Sequence, residues 1–163
     1  SIWSTASDIT YGQTLASSTL TGGTGSVAGS FAFTTPSTAP NAGTASQDVT
    51  FTPTDTDNYN TVAGSVDVTC NKATPTVSVW PTASDITYGQ TCASATLTGG
   101  TASVAGSFAF TTPSTAPGAG TASQSVTFTP TDTTNYNTVV GSVDVTCSKA
   151  TPSVTEWPTA SAI

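Results

Sequence analysis

The chain has very few charged groups. Its 163 residues contain no histidine and no methionine, and Lys72 and Lys149 are its only cations. Nine acidic residues bring the formal net charge to -7. A nucleic-acid surface is bound through a basic stripe, and an anionic membrane surface through basic clusters. The composition therefore argues against nucleic acid and membrane as partners.

Long apolar runs are also missing. No stretch approaches the 18 or so consecutive apolar residues of a membrane-spanning helix, and no charged segment followed by an apolar one marks a signal peptide. We therefore expect no membrane insertion in this segment, and we expect targeting and anchoring parts to lie outside it.

The residue types of common catalytic centres are scarce. Without histidine, neither a Ser-His-Asp nor a Cys-His relay is possible. Paired carboxylates are the remaining option, but Asp67 and Asp144 occupy outward positions of predicted strands, and Asp57 is replaced by Thr134 in a second copy of the same sequence. We predict that the chain is not an enzyme and needs no cofactor.

Calcium is the one metal for which the sequence offers candidate ligands, because residues 55–58 place two carboxylates and an amide close together. The second copy of this segment has lost one carboxylate, and no glycine or distal glutamate of a calcium-binding loop follows. The prediction is therefore no metal site.

The chain is organised by an internal repeat of 77 residues. Residues 3–13 recur almost unchanged at 80–90, and the pattern begins again at Trp157. Residues 1–77 and 78–154 match at 66 of 77 positions, and the differences include Ser4 against Pro81, Leu15 against Cys92, and Ala63 against Val140. Each copy is long enough for a small domain. We predict one repeat at 1–73, a second at 74–150, and the start of a truncated third repeat or a joining strand at 151–163.

Within one repeat, short alternating segments predict strands. The clearest lie at 76–80, around Ala93 to Leu97, around Phe108 and Phe110, around Val126 and Phe128, and up to Cys147. Residues 112–120 contain two prolines and two glycines and predict a loop. No segment has helical periodicity. The fold class predicted is all-β, with two small antiparallel sandwiches in tandem.

A tyrosine follows an aspartate by four residues in each repeat, as Asp55 and Tyr59 and as Asp132 and Tyr136. This spacing is typical of the tyrosine corner of immunoglobulin-like sandwiches, in which the phenol bonds to nearby backbone. An Asx turn followed by a core tyrosine is an equally good interpretation. Both interpretations are structural.

Three motifs together resemble a known family. They are the segment at 72–77, the Ile-Thr-Tyr-Gly-Gln segment at 86–90, and the segment at 128–138 that contains Asp132 and Tyr136. In order and spacing they are similar to the bacterial Ig-like tandem repeats, in particular the MBG domain of the Tyr-Gly-X type. The resemblance implies two tandem Ig-like β-sandwiches in a secreted, surface-attached adhesin, where such repeats act as spacers. It implies no catalytic residues.

The cysteines depart from that family. In an Ig-like topology, the second strand starts at the end of the sandwich where the last strand finishes, which predicts a Cys92 to Cys147 disulfide and leaves Cys70 as a buried thiol beside Leu15. Two alternatives remain open: a Cys70 to Cys92 bridge, or an intermolecular bridge from Cys70.

The tryptophans Trp3, Trp80 and Trp157 open each copy. We predict that each packs against the preceding repeat; the alternative is a stacking platform for carbohydrate. The function expected is an extracellular stalk on a bacterial cell surface, with neighbouring copies of the repeat, a surface glycan or a neighbouring or host cell as partners. The alternatives are a self-assembling fibre or sheath subunit, joined by strand addition or disulfides, and a carbohydrate-binding module.

Overall fold

The structure is a computed structural model, and it describes residues 2–161. The chain divides into two compact units, described separately below. Unit 1 comprises residues 2–75 and 130–138, and unit 2 comprises 76–129 and 139–161. The division at residue 75 lies close to the predicted boundary at 73, but residues 130–138 of the second repeat belong to unit 1. Residues 151–161 contain no strand and are exposed.

Both units consist of β-strands, with a single 3-10 turn in each. Unit 1 contains β1 (Thr5–Ala6), β2 (Ile9–Thr10), a 3-10 turn (Leu15–Ser17), β3 (Leu20–Thr21), β4 (Gly29–Phe33), β5 (Gly43–Pro53) and β6 (Val62–Asn71). Unit 2 contains β7 (Val77–Val79), β8 (Thr82–Ala83), β9 (Ile86–Thr87), a 3-10 turn (Cys92–Ser94), β10 (Leu97–Thr98), β11 (Thr101–Ala102), β12 (Gly106–Phe110), β13 (Gly120–Pro130) and β14 (Val139–Ser148).

Each unit is built on a four-stranded sheet. In unit 1 the order is β2-β6-β5-β4, and in unit 2 it is β9-β14-β13-β12. In each sheet one edge strand runs parallel to its neighbour, β2 to β6 and β9 to β14, and the central pairs are antiparallel. Two-stranded pairs complete the units: β1 with β3, β8 with β10, and β7 with β11.

The core of unit 1 lies on one face of its four-stranded sheet. Alternate residues of β5 and β6 point inward, and Val49, Val68 and Cys70 are at most 2% exposed. Leu15 of the 3-10 turn is buried against the same cluster, and Trp3, Ala6 and Leu20 are partly buried against it. The sheet is therefore covered on one side by the β1-β3 pair and the turn, which gives a sandwich-like all-β unit.

Unit 2 repeats this arrangement. Val126 and Phe128 of β13, and Val143, Val145 and Cys147 of β14, are buried. The strands predicted around Val126 and Phe128 and up to Cys147 are confirmed, and 112–120 is mostly loop, as predicted. The strand predicted through Ala93 to Leu97 is wrong: the chain forms a 3-10 turn there, and only Leu97–Thr98 is extended.

On the exposed faces of the sheets, threonine hydroxyls of neighbouring strands form hydrogen bonds with each other. The hydroxyls of Thr44 and Thr69, which are cross-strand partners, lie 2.9 Å apart, and their counterparts Thr121 and Thr146 lie 3.1 Å apart. Thr34 and Thr50 make a similar contact at 2.8 Å. Such pairs stabilise a sheet by about 0.2–1 kcal/mol each. The outer faces are thus satisfied by neutral hydroxyls, which explains how a chain with so few charges keeps polar surfaces.

One buried hydroxyl distinguishes the two repeats. Ser4 is 4% exposed, and its Oγ has no hydrogen-bond partner among the described residues. Pro81 is buried at the equivalent position of unit 2. We expect Ser4→Pro to raise the free energy of unfolding by about 1–2 kcal/mol, because it removes an unsatisfied polar group and restricts the unfolded chain. Urea denaturation measures the change.

The second repeat supplies the matched control. Pro81→Ser introduces the hydroxyl at the same place in unit 2, and we expect it to lower stability by a similar amount. A loss of stability in Ser4→Pro would contradict this account of the buried hydroxyl.

Candidate functional site

The Asp-x-x-Asn-Tyr segment forms an Asx turn in both repeats. The Asp55 carboxylate accepts the backbone N–H of Asn58 at 3.2 Å and its side-chain Nδ2 at 2.9 Å. Asp132 does the same with Asn135, at 3.1 and 2.8 Å. The structure therefore has the Asx turn and not the tyrosine corner.

The two tyrosines are not arranged as a tyrosine corner requires. The Tyr59 ring is 50% exposed, and the hydroxyls of Tyr59 and Tyr136 have no hydrogen bond within residues 2–161. Each tyrosine instead donates its backbone N–H to the carbonyl oxygen of the aspartate four residues earlier, at 3.2 Å. The physical reason is that the carboxylate closes a compact turn with the asparagine three residues later, and the phenol takes no part in that turn.

Loop 130–138 fills a cleft in unit 1. Asn135 is only 7% exposed, and its Oδ1 accepts the backbone N–H of Ala42 at 2.8 Å. Its carbonyl oxygen accepts the N–H of Ala73 at 2.9 Å, and Asn137 returns an N–H to the Ala73 carbonyl oxygen at 2.9 Å. A buried amide is stable only when its polar atoms are paired, and here they are.

An aromatic contact and a cation complete this cleft. The rings of Tyr11 and Tyr136 meet edge to face, with centroids 5.3 Å apart. The Lys72 ammonium donates to the carbonyl oxygen of Thr133 at 2.6 Å. We call the site formed by Tyr11, Ala42, Lys72 and Ala73 the unit 1 cleft. Its contacts combine backbone pairing, a buried amide and an aromatic pair, the elements of a specific interface.

The carboxylate of this loop titrates below the ordinary aspartate range. The side-chain bond from Asn135 is the main cause of the lowered pKa of Asp132, with backbone bonds and the positive charge of Lys72 as smaller causes. Because the pKa of Asp132 is lower in the folded chain than in the unfolded chain, the ionised carboxylate stabilises the folded state. This contribution is complete above the pKa of the unfolded chain, and it is lost as the pH falls through the pKa of the folded chain.

We therefore expect the chain to lose stability as the pH falls from about 5 to about 2, and Asp132→Asn to lose less over that window. Urea denaturation at several pH values measures the difference. Asp67→Asn, on the exposed face of β6, is the control, because it removes a carboxylate without touching an Asx turn. Equal acid sensitivity in the Asp132→Asn variant and the unsubstituted chain would contradict the assignment.

Unit 2 has the same cleft, but open. Tyr88, Ala119, Lys149 and Ala150, the counterparts of the four residues of the unit 1 cleft, line a depression of about 290 Å³. Tyr88 is 61% exposed. The backbone N–H groups of Ala119 and Ala150 have no hydrogen-bond partner among residues 2–161. We call this site the unit 2 cleft.

The tryptophans lie within their own units. Trp3 packs edge to face on Phe31, with centroids 5.7 Å apart, and Trp80 packs in the same way on Phe108 at 5.7 Å. Each indole also lies over a glycine of the last strand of its repeat, Gly64 and Gly141, where a Cβ atom would overlap the ring.

The prediction that the tryptophans pack against the preceding repeat is therefore corrected for Trp3 and Trp80. The glycine in the last strand leaves a flat space that the indole of the same repeat fills. Trp157 is 75% exposed and lies in the strandless tail. Trp3 and Trp80 are thus partly buried by contacts within their own units.

The three cysteines are free and buried. Cys70 belongs to the same core cluster as Leu15, and burial raises the pKa of its thiol, so the reactive thiolate is disfavoured. The predicted Cys92 to Cys147 disulfide is not formed. The Cys92 sulfur lies 3.7 Å from Oε1 of Gln124, which pairs with Val143, four positions before Cys147 along β14.

Residues 2–161 contain no group of three or more acidic, histidine or cysteine side chains that could hold a metal ion, and both carboxylate oxygens of Asp55 are engaged by Asn58. Within the same residues, no helix is long and apolar enough to cross a bilayer.

No family model matches the chain, and the comparison with curated proteins finds no match.

Sequence reasoning missed the clefts. Apart from Ala42 and Ala119, their residues lie in two of the motifs that carry the family resemblance or in the copies of those motifs, so the signal was present as recurring segments. The sequence does not show which of these segments contact each other, because Tyr11 and Tyr136 are 125 positions apart and no periodicity links them.

Proposed function

We propose that the chain is a non-enzymatic, extracellular structural repeat that serves as a stalk or spacer of a bacterial surface adhesin. The observation that carries this proposal is that each 77-residue repeat contributes an all-β unit with its own buried core. A tandem array of such units gains length with each copy and needs no reaction centre.

The sheet topology supports a mechanical role. In unit 1, Ile9 pairs with Cys70 and Thr10 with Asn71 in parallel, and Tyr11 donates a further hydrogen bond to the Asn71 carbonyl oxygen at 2.8 Å. A force applied at the N-terminal end of β2 and at the C-terminal end of β6 makes these two parallel strands slide past each other. The hydrogen bonds across the pair are then loaded together and do not open one at a time.

Single-molecule stretching of the whole chain tests this role. We expect two unfolding events, one for each unit, and a higher unfolding force when unit 1 is pulled through its two ends than when it is pulled through Thr44 and Thr69. Those two residues are cross-strand partners in an antiparallel ladder, so a force between them opens the pairs successively. Equal forces in the two geometries would contradict the mechanical proposal.

The finer fold assignment is part of the same proposal. We assign each unit to the Ig-like sandwiches, on the sequence resemblance together with the four-stranded sheet whose central strands are antiparallel. An experimental structure in which the strands on opposite faces of the core fail to form two packed sheets would overturn this assignment.

A second candidate is a self-assembling fibre subunit joined by strand addition, and one observation favours it. In unit 2, β7 pairs with β11 through Val79 and Thr101. The tail carries the equivalent of β7 at 154–156, where Val154 is 54% exposed. Thr24 is the counterpart of Thr101, so this segment would extend a sheet edge of another copy by pairing with Thr24 in place of the bridge from Ile2. Deletion of residues 152–163 would then abolish assembly.

A further inference from the structure

The two clefts have the same chemistry but differ in occupancy. All four residues of the unit 1 cleft recur in the unit 2 cleft. In unit 1 a loop covers them and buries an asparagine, whereas in unit 2 no described residue takes the place of that loop. Two unpaired backbone donors and an exposed tyrosine ring therefore lie side by side. This combination is a binding site for a segment that offers an amide oxygen, a backbone carbonyl and an aromatic ring.

The chain contains such a segment, and it is exposed. Loop 53–61 is the counterpart of loop 130–138 and differs from it at a single position, Asp57 against Thr134. Its Asn58 is exposed and its Tyr59 half exposed, whereas Asn135 is buried. The Asx turn is already formed, with bond lengths within 0.1 Å of those in the docked loop. A preformed loop loses little conformational entropy on binding.

We propose that the unit 2 cleft of one molecule binds loop 53–61 of a second copy of this chain, so that copies associate head to tail. By analogy with unit 1, the Asn58 Oδ1 accepts the N–H of Ala119, and its carbonyl oxygen accepts the N–H of Ala150. The Tyr59 ring packs edge to face on Tyr88. Cleft and loop are different surfaces, so the contact is heterologous and each added copy leaves one of each free.

The differences between the repeats also bear on this contact. Gly118 replaces Asn41, whose Oδ1 lies 3.5 Å from the docked asparagine, so one long polar contact is lost. In unit 1 the Lys72 ammonium donates to the carbonyl oxygen of Thr133. The counterpart of Thr133 in loop 53–61 is Thr56, and the next residue, Asp57, adds a carboxylate there. Lys149 would then face two carboxylates, Asp55 and Asp57. Association should therefore weaken as salt is added.

The experiment uses the full chain and two variants. The loop variant is Asn58→Ala with Tyr59→Ala, and the cleft variant is Tyr88→Ala with Lys149→Ala; all four side chains are exposed, so the units should still fold. Sedimentation equilibrium should show the mass of the unsubstituted chain rising with concentration from 16.1 kDa. Each variant alone should associate at least about tenfold more weakly, a loss of about 1.4 kcal/mol.

Mixing the variants gives the sharpest result. The loop variant keeps a working cleft, and the cleft variant keeps a working loop, so an equimolar mixture should form one-to-one complexes and nothing larger. A peptide of residues 53–61 should compete with association of the unsubstituted chain, and this readout does not depend on the folding of any variant.

Several outcomes would overturn the inference. They are a chain that stays monomeric at about 1 mM, where a contact of useful affinity would be populated, association that neither variant weakens, and a mixture that does not pair. Deletion of residues 152–163 separates the cleft from strand addition, because it leaves all four cleft residues in place. Assembly lost on that deletion supports strand addition and counts against the cleft. None of these results touches the stalk proposal, which stretching tests independently.

Discussion

Phe128→Ala is expected to lower the free energy of unfolding by about 3–5 kcal/mol. Phe128 is 1% exposed and is one of the largest fully buried side chains, with its ring centroid 5.0 Å from that of Phe108. Gly106 approaches the ring so closely that a side chain there would meet it. Truncation to alanine removes these ring contacts and leaves a cavity. A domain of this size has only about 5–15 kcal/mol in total.

The control is an exposed position that the repeat has already varied. Val140 is 62% exposed, and unit 1 has Ala63 in its place. Val140→Ala should change stability by no more than about 0.5 kcal/mol. Urea denaturation followed by circular dichroism compares the two variants. Equal losses of stability in the two variants would contradict the large contribution expected from the buried Phe128 ring.

Gly141→Ala is expected to destabilise unit 2 by about 1–3 kcal/mol, although alanine is otherwise better than glycine in a strand. The added Cβ would overlap the Trp80 indole, which must then leave its place beside Phe108. Gly118→Ala is the matched control, because a Cβ there meets no atom within 4 Å and the backbone is not left-handed. We expect that control to be nearly neutral.

A double-mutant cycle assigns the cost of Gly141→Ala to the indole. In a Trp80→Ala background the ring is absent, so Gly141→Ala should cost less than about 0.5 kcal/mol. Thermal or urea unfolding of the four proteins in the cycle measures the coupling. Additive losses would mean that the glycine serves the backbone and not the tryptophan.

The long strands could be predicted from the sequence, and the short ones could not. β5, β6, β13 and β14 each have ten or eleven residues, so alternation of buried and exposed positions repeats often enough to be recognised. Strands of two residues, such as Ile86–Thr87, show no period. The turn at Cys92–Ser94 lies beside apolar residues spaced like those of a strand, which is why a strand was predicted there.

Contacts between residues far apart in the sequence could not be predicted either. The tryptophans were expected on the preceding repeat because of their position in the sequence, but the space that receives them is created by Gly64 and Gly141, which lie 61 positions later. The disulfide was expected from a presumed end-to-end topology. In the structure Cys147 is level with Ile86, and the chain has passed the Gly89 turn before it reaches Cys92.

The near identity of the two antiparallel ladders has a consequence for folding. β5 and β6 pair from Gly43 with Cys70 to Phe51 with Val62, and β13 and β14 pair in the same register. Few buried positions differ, so β5 would accept β14 almost as well as β6, and exchange between neighbours is a typical misfolding route of tandem domains. The correct partner is favoured mainly by proximity along the chain. Closing a loop of about 86 residues instead of about 8 costs roughly 2 kcal/mol more, and that entropic bias selects the native pairing.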